Sequence, residues 1–186
     1  LAAADVDGFV FWTRNLGPFL GALDAVRRRG FPFVVQYTVT GYPRTLDLAT
    51  IGAERAVAEM GHVRRRFGAR AAVWRYDPVV VSSLTPPAWH RANFAALARN
   101  LAGIVDEVVV SFVQVYRKTA RNMDAAARAQ GFDWRDPAAD EKREMLGALA
   151  FIAAENGMAL TLCGQPDLAI GGVGEARCID ALRLGE

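Results

Sequence analysis

Two opposite charges stand side by side near the middle of the sequence. Trp74-Arg75-Tyr76-Asp77-Pro78 ends an apolar run, with Arg75 and Asp77 two residues apart. On a strand, residues at i and i+2 share a face. An arginine there keeps a neighbouring carboxylate ionised, and its planar fork suits bidentate recognition of a carboxylate or phosphate. A structural ion pair closing the mouth of the fold explains the pattern equally well. Four more apolar runs end in polar or thiol residues: Trp12-Thr13-Arg14-Asn15, then Gln36-Tyr37-Thr38, then Ser111-Phe112 followed by Gln114, Tyr116, Arg117 and Lys118, and finally Cys163. Arg14, Gln36, Arg75, Asp77, Ser111 and Lys118 break the apolar pattern at the same end of their runs, while the opposite ends stay ordinary. Their convergence points to a site; the competing reading is plain loop polarity, because loops are wet.

Other chemistries find less support. His62 and His90 fall in predicted helices, and neither has metal-ligand spacing to Cys or Glu. Asp77 is the one carboxylate at a strand end, so the pair needed for glycoside hydrolysis is missing. No GxSxG and no phosphate-binding P-loop occurs. Trp12 and Trp74 are candidate stacking platforms, although lone aromatics more often pack in cores. Cys163 and Cys178 are 15 residues apart across a Gly-rich loop, so the two can meet. An iron–sulfur cluster takes about four thiolates, so this pair supplies at most half of one. The alternative is a pair of small buried hydrophobes.

The elements that must position these residues alternate strongly. Strands are predicted at 8–15, 31–39, 69–77, 107–113 and 158–163, with Pro78 closing the third. Helices are predicted at 16–29, 51–67, 89–102, 116–130, 138–156 and 177–184. The strands are almost continuously apolar, as parallel strands covered on both faces should be. Consecutive βα units predict an α/β fold with a parallel sheet. No Gly-rich fingerprint follows the first strand, which disfavours a doubly wound dinucleotide fold. A partial TIM-type (βα) barrel of about five units is the expected architecture, since a complete barrel typically needs about 250 residues. In such folds the chemistry sits beyond the C-terminal strand ends.

The chain has 186 residues, 52% of them hydrophobic and 23% charged, which excludes a disordered chain and fits a single domain over 1–186. Its net charge of +2 gives no footing for nucleic-acid binding. It contains no long uncharged apolar stretch and no secretory pattern, so no membrane partner is expected. Two cysteines are too few for a disulfide scaffold, which favours the cytoplasm. The sequence opens on Leu1, almost directly in a strand, and is expected to be a fragment of a longer chain.

Taken together, the strand-end segments resemble a bacterial family, domain of unknown function 1848, which is similar to radical S-adenosylmethionine enzymes. The resemblance rests on Val6-Asp7-Gly8-Phe9-Val10-Phe11-Trp12-Thr13-Arg14-Asn15, Gln36-Tyr37-Thr38-Val39-Thr40-Gly41-Tyr42 and Val73-Trp74-Arg75-Tyr76-Asp77-Pro78. It continues through Ser111-Phe112, Tyr116-Arg117-Lys118-Thr119, Arg121-Asn122 and Cys178-Ile179-Asp180. The resemblance implies a C-terminal CxxxCxxC cluster holding a [4Fe–4S] centre whose open iron takes S-adenosylmethionine; the protein would supply position and exclusion of water. This sequence departs from that pattern, because the three-cysteine cluster and the segment expected before Asp5 are absent. The resemblance therefore covers the middle of a family member.

On this basis Arg14, Gln36, Thr38, Arg75 and Ser111 are expected to contact cofactor. Asp77, Tyr116 and Lys118 are expected to act on the substrate, an unidentified small molecule. Cys163 and Cys178 are candidate metal ligands that would join cysteines of a missing tail around an auxiliary cluster. The protein would then be a radical S-adenosylmethionine enzyme once the full chain supplies the cluster. Two alternatives stay open: a non-catalytic barrel domain binding a small anion or partner protein, and an unrelated TIM-barrel enzyme acting on a phosphorylated or carboxylated metabolite.

Overall fold

The structure, a computed structural model, describes residues 6–185; the two ends of the predicted domain, 1–5 and 186, lie outside them. In chain order the elements are β1 (Phe9–Thr13), α1 (Leu20–Arg28), β2 (Phe33–Thr38), α2 (Ala53–Phe67), β3 (Ala72–Val79), β4 (Val81–Ser82), α3 (Pro87–Leu101), β5 (Glu107–Phe112), α4 (Arg117–Gln130), β6 (Trp134–Arg135), α5 (Ala139–Glu155), β7 (Ala159–Leu162), β8 (Gly174–Glu175) and α6 (Ala181–Leu184).

Six strands form one parallel sheet in the order β1-β2-β3-β5-β7-β8. Spatial order equals chain order, so the sheet has no reversal point of the kind that marks doubly wound folds. With crossovers of one hand, as is the rule for parallel strands, such an order brings successive helices to one face. That face carries the main core: Val35, Tyr37, Trp74, Tyr76, Val108, Val110 and Leu162 from the strands meet Leu23, Met60, Phe94, Leu101, Leu146 and Leu149 from α1, α2, α3 and α5. Trp74 stacks on Phe94 with ring centres 4.7 Å apart, and Tyr76 meets the same ring edge-on. Burying each large apolar side chain contributes about 1.5–3 kcal/mol.

Several expectations need correction. Five strands were too few: β8 adds a sixth, aligning Gly174 with Thr161 and Glu175 with Leu162. Its two exposed residues pair through the backbone alone, so their side chains carry no strand signal. A separate antiparallel pair, β4 with β6, occupies stretches expected to be loop. Pro78 does not end the third strand. β3 continues through a cis Asp77–Pro78 bond to Val79, with a register shift against β5 between Tyr76 and Val79; a proline that cannot donate to the ladder is tolerated at such an irregularity. The first helix splits, with a 3-10 turn over Gly17–Phe19 around Pro18 preceding α1. The last helix shrinks to Ala181–Leu184, where the Asp180 side chain accepts from the Leu182 and Arg183 backbone N–H groups at 3.0 and 3.3 Å.

Among the described residues the other sheet face carries no layer of long helices. Val34, Val73 and Val109 make a small apolar cluster there, with Cys163, Ala176 and Leu184 packed against it. The C-terminal segment closes the N-terminal ends of the strands. Arg183 is buried and donates to Arg70 O at 3.0 Å, Asp106 at 2.9 Å and Glu107 at 2.8 Å. Thr161 donates to the other Glu107 oxygen at 2.8 Å. Gly8 lets this segment approach, because a Cβ there would lie 2.9 Å from Pro32 O and 3.0 Å from Leu184. By contrast α4 buries no residue and leans on β6, where Trp134 Nε1 donates to Asp124 at 2.9 Å. Among the described residues no helix is long and apolar enough to cross a membrane.

Candidate functional site

Strand alternation decides which residues reach the open face. Trp74 and Tyr76 point into the helix layer, so Arg75 and Asp77 point the other way. Register places Gln36 beside Val73 and Thr38 beside Arg75 on β2, and aligns Val109 of β5 with Arg75. Gln36, Arg75, Asp77 and Ser111 therefore gather toward the C-terminal ends of three adjacent strands, with Cys163 following the end of β7.

Arg75 is the centre of this group and is only 7% exposed. Its Nε donates to Asp77 at 3.0 Å and its Nη2 pairs with the same carboxylate oxygen. Its Nη1 reaches Gln36 Oε1 at 3.4 Å and Cys178 Sγ at 3.9 Å. Ser111 donates its hydroxyl to the second Asp77 oxygen. Burial alone would weaken the Arg75 charge, but the Asp77 carboxylate outweighs it and holds the guanidinium pKa above its ordinary value. The arrangement is a fixed cation and a fixed anion on one wall, each with further polar groups in reach. Such a wall suits a ligand that brings both charges, or an anion drawn to the guanidinium.

The strand end bearing Asp77 is held from behind. Tyr42 donates to Pro78 O at 2.7 Å and accepts from Val80 N at 2.8 Å. His90 bonds Tyr76 OH at 2.8 Å through Nδ1 and Val80 O at 3.0 Å through Nε2. Because a carbonyl only accepts, Nε2 carries the proton and Nδ1 accepts from Tyr76. Asn93 completes the chain by donating to Tyr76 OH at 3.0 Å and Thr40 O at 2.8 Å. Desolvation pushes His90 down to about 4, so it is neutral at ordinary pH. Both ring nitrogens of His90 are thus taken up by protein partners; His62 is exposed on α2.

Thr38, in register with Arg75, sits beside this group. Arg14 pairs with Asp47 in the β2–α2 loop. Tyr116 is 65% exposed and donates to Gln114. Lys118 is exposed on α4. Thr38 is half-buried at the end of β2, and Trp12, 53% exposed, aligns with Gln36 at the β1 edge. Trp74 is no stacking platform: it is fully buried on the helix side and donates to Val39 O at 2.8 Å. Sequence reasoning missed Gln165, whose amide accepts from Phe112 N at 2.7 Å and donates to Phe112 O at 3.1 Å, continuing the ladder beyond β5. Only its place in the loop after Cys163 hinted at this. Five clefts, of about 120 to 760 Å³, lie elsewhere, the roomiest between Gly8 and Ile179, and none of them is lined by Arg75 or Asp77. The converging side chains on the sheet face, rather than cleft depth, identify the candidate site.

Cys163 and Cys178 do meet, with sulfurs 3.3 Å apart and no disulfide between them. Burial, followed by the neighbouring Cys178, pushes the Cys163 thiol up, and Arg75 pulls it the other way. Among the described residues no group of three potential metal ligands occurs. A four-iron cluster takes about four thiolates, so these residues do not by themselves fit one. The amino-acid end of S-adenosylmethionine is a different matter, because its ammonium and carboxylate match the charges of Asp77 and Arg75.

A family described as Domain of unknown function (DUF1848) matches residues 1–186, the whole chain, and the chain belongs to it. No curated protein matches the chain.

Proposed function

We propose that this member of the DUF1848 family is a partial TIM-type barrel that binds S-adenosylmethionine, with a small substrate beside it, at the C-terminal ends of its strands. The observation that carries the reading is buried Arg75 paired with half-buried Asp77, with Gln36 and Ser111 in hydrogen-bond reach. Strands in chain order with helices on one face support the barrel, the free face being its inner wall. In such folds ligands meet the C-terminal strand ends.

Arg75 takes the ligand carboxylate through its fork, a geometry that gives direction as well as attraction. Asp77, oriented by Ser111, takes the ammonium. Gln36 fixes the edge of the guanidinium. When bound, S-adenosylmethionine supplies a sulfonium centre whose carbon–sulfur bonds are activated for cleavage; the residues here hold and orient its amino-acid end. No radical step is assigned to this chain, since its two thiols do not complete a cluster. A cytoplasmic location belongs to the same reading. A second reading, a barrel domain binding a small anion without reaction, is favoured by the way Arg75 and Asp77 already satisfy one another.

Equilibrium dialysis against labelled S-adenosylmethionine tests the proposal with wild type, Arg75→Gln, Asp77→Asn and the exposed α5 control Glu155→Ala. Binding by wild type and the control, weakened at least tenfold in both site variants, is expected. Binding of phosphate or citrate but not S-adenosylmethionine selects the second reading. Equal binding by all four proteins removes the Arg75–Asp77 pair from the site.

A further inference from the structure

Cys163 immediately follows β7, and Cys178 lies on the segment leading from β8 into α6. Both are free and partly exposed, and their sulfurs are 3.3 Å apart. The flanking backbone already sets them in place. Cys163 N donates to Val110 O at 2.9 Å, and Ala176 N donates to Leu162 O at 2.9 Å, extending the β7–β8 ladder toward Cys178. A disulfide bond is about 2.05 Å long, so closing from 3.3 Å needs a sulfur movement of about 1.2 Å. The Arg75 guanidinium faces the pair, with Nη1 3.9 Å from Cys178 Sγ, and offers a counter-charge to a thiolate formed there. Among the described residues there is no third metal ligand beside these thiols. Two sulfurs in contact with no third ligand suit two-electron exchange better than cluster ligation.

We propose that Cys163 and Cys178 form a reversible disulfide, a redox-sensitive clasp fastening the 176–184 segment to the end of β7 beside Arg75. The oxidant class is a low-molecular-weight disulfide such as glutathione disulfide. One cysteine thiolate attacks a sulfur of that disulfide, forming a mixed disulfide and expelling one thiolate. The second cysteine, as thiolate, attacks the protein sulfur of the mixed disulfide and expels the other. The protons lost by the two cysteines end on the two released thiols. The protein pair is oxidised by two electrons and the small disulfide is reduced by two. Cytosolic disulfides, where they occur, are usually transient or redox-sensing, and this pair joins segments that can part again on reduction. The consequence reaches the fold, because the fastened segment carries Arg183, whose contacts close the N-terminal strand ends.

The test equilibrates reduced protein anaerobically, with chelator present, in glutathione buffers of stepped ratio. Remaining thiols are then trapped with a maleimide and the intact mass is measured. In wild type, both labels should disappear together as the mass falls by two hydrogens. Cys163→Ser and Cys178→Ser should each gain one glutathione adduct instead. Hydrogen exchange across 176–184 should slow at least severalfold on oxidation in wild type and in neither variant. Wild type that keeps both labels at every ratio, or carries glutathione on each cysteine without an internal bond, overturns the proposal. So does exchange that does not respond to oxidation. Label protection without glutathione disulfide that only the chelator relieves also overturns it, and would make the pair a metal site.

Discussion

Replacing Asp77 with alanine should destabilise the protein far more than an exposed charge change would. The Arg75 side chain is 8% exposed and that of Asp77 21%, so the pair sits mostly out of water. Removing the carboxylate leaves Arg75 with Gln36 at 3.4 Å and a sulfur at 3.9 Å, and leaves the Ser111 hydroxyl without its acceptor. Breaking a buried ion pair from one side costs about 3–5 kcal/mol. Partial exposure of Asp77 lets water take up some of that, which places the expected loss at about 2–4 kcal/mol. The double variant Arg75→Met/Asp77→Ala removes both charges and should recover at least half of the loss, because buried pairs replaced together by apolar groups are often neutral. Urea unfolding followed by tryptophan fluorescence reads both values through the midpoint at unchanged slope. A loss under about 1 kcal/mol for Asp77→Ala, or a double variant no better than the single one, would refute the view of Arg75 as a buried cation that depends on this carboxylate.

Three further outcomes follow from the elements behind the site. His90 has its pKa lowered to about 4 by desolvation. Its folded value lies below its unfolded one, so stability is fully present above about pH 6.5 and is lost as pH falls toward 4, by at most about 3 kcal/mol; pH-dependent unfolding of His90→Gln should lack that slope. Gly41→Ala should cost about 1–3 kcal/mol in chemical denaturation, because φ is +64° there and a Cβ would come 2.7 Å from Asn93 Oδ1. Glu59 accepts from Tyr37 OH at 2.6 Å, Leu16 N at 2.7 Å and Arg55 Nε at 3.1 Å. Burial raises its pKa, but these bonds outweigh it and the net shift is downward. Its contribution is therefore present above the usual carboxylate range and fades as pH falls below it. Glu59→Gln should lose about 1–3 kcal/mol at neutral pH in the same unfolding assay.

Much of the sheet was legible because apolar, β-branched runs fix strands regardless of their neighbours. β2 shows both the strength and the limit of that signal. Its run is unmistakable, yet Gln36 sits in it with no local hint that its partner is Arg75 on the next strand. The i, i+2 spacing of Arg75 and Asp77 was readable because alternation is local. That Trp74 faces the helices, and so cannot serve a ligand, depends on where the helices lie, which no strand sequence states. The short strands escaped for another reason: Gly174 and Glu175 pair by backbone alone. Arg183 was illegible, since Asp106 and Glu107, which neutralise it, are more than 70 residues away in the chain. Lys118 and Tyr116 are expected at the site because they follow β5, and both side chains are exposed where α4 begins.

The proposed ligand site is tested most directly by ultraviolet cross-linking of labelled S-adenosylmethionine to the protein, followed by peptide mapping. Label on the peptides that carry β2, β3, the end of β5 or the Cys163–Cys178 segment, suppressed by excess unlabelled ligand and by Asp77→Asn, is the predicted result. Label confined to α4 or the helix layer, or label unaffected by the Asp77 substitution, would contradict binding at the strand C-terminal ends.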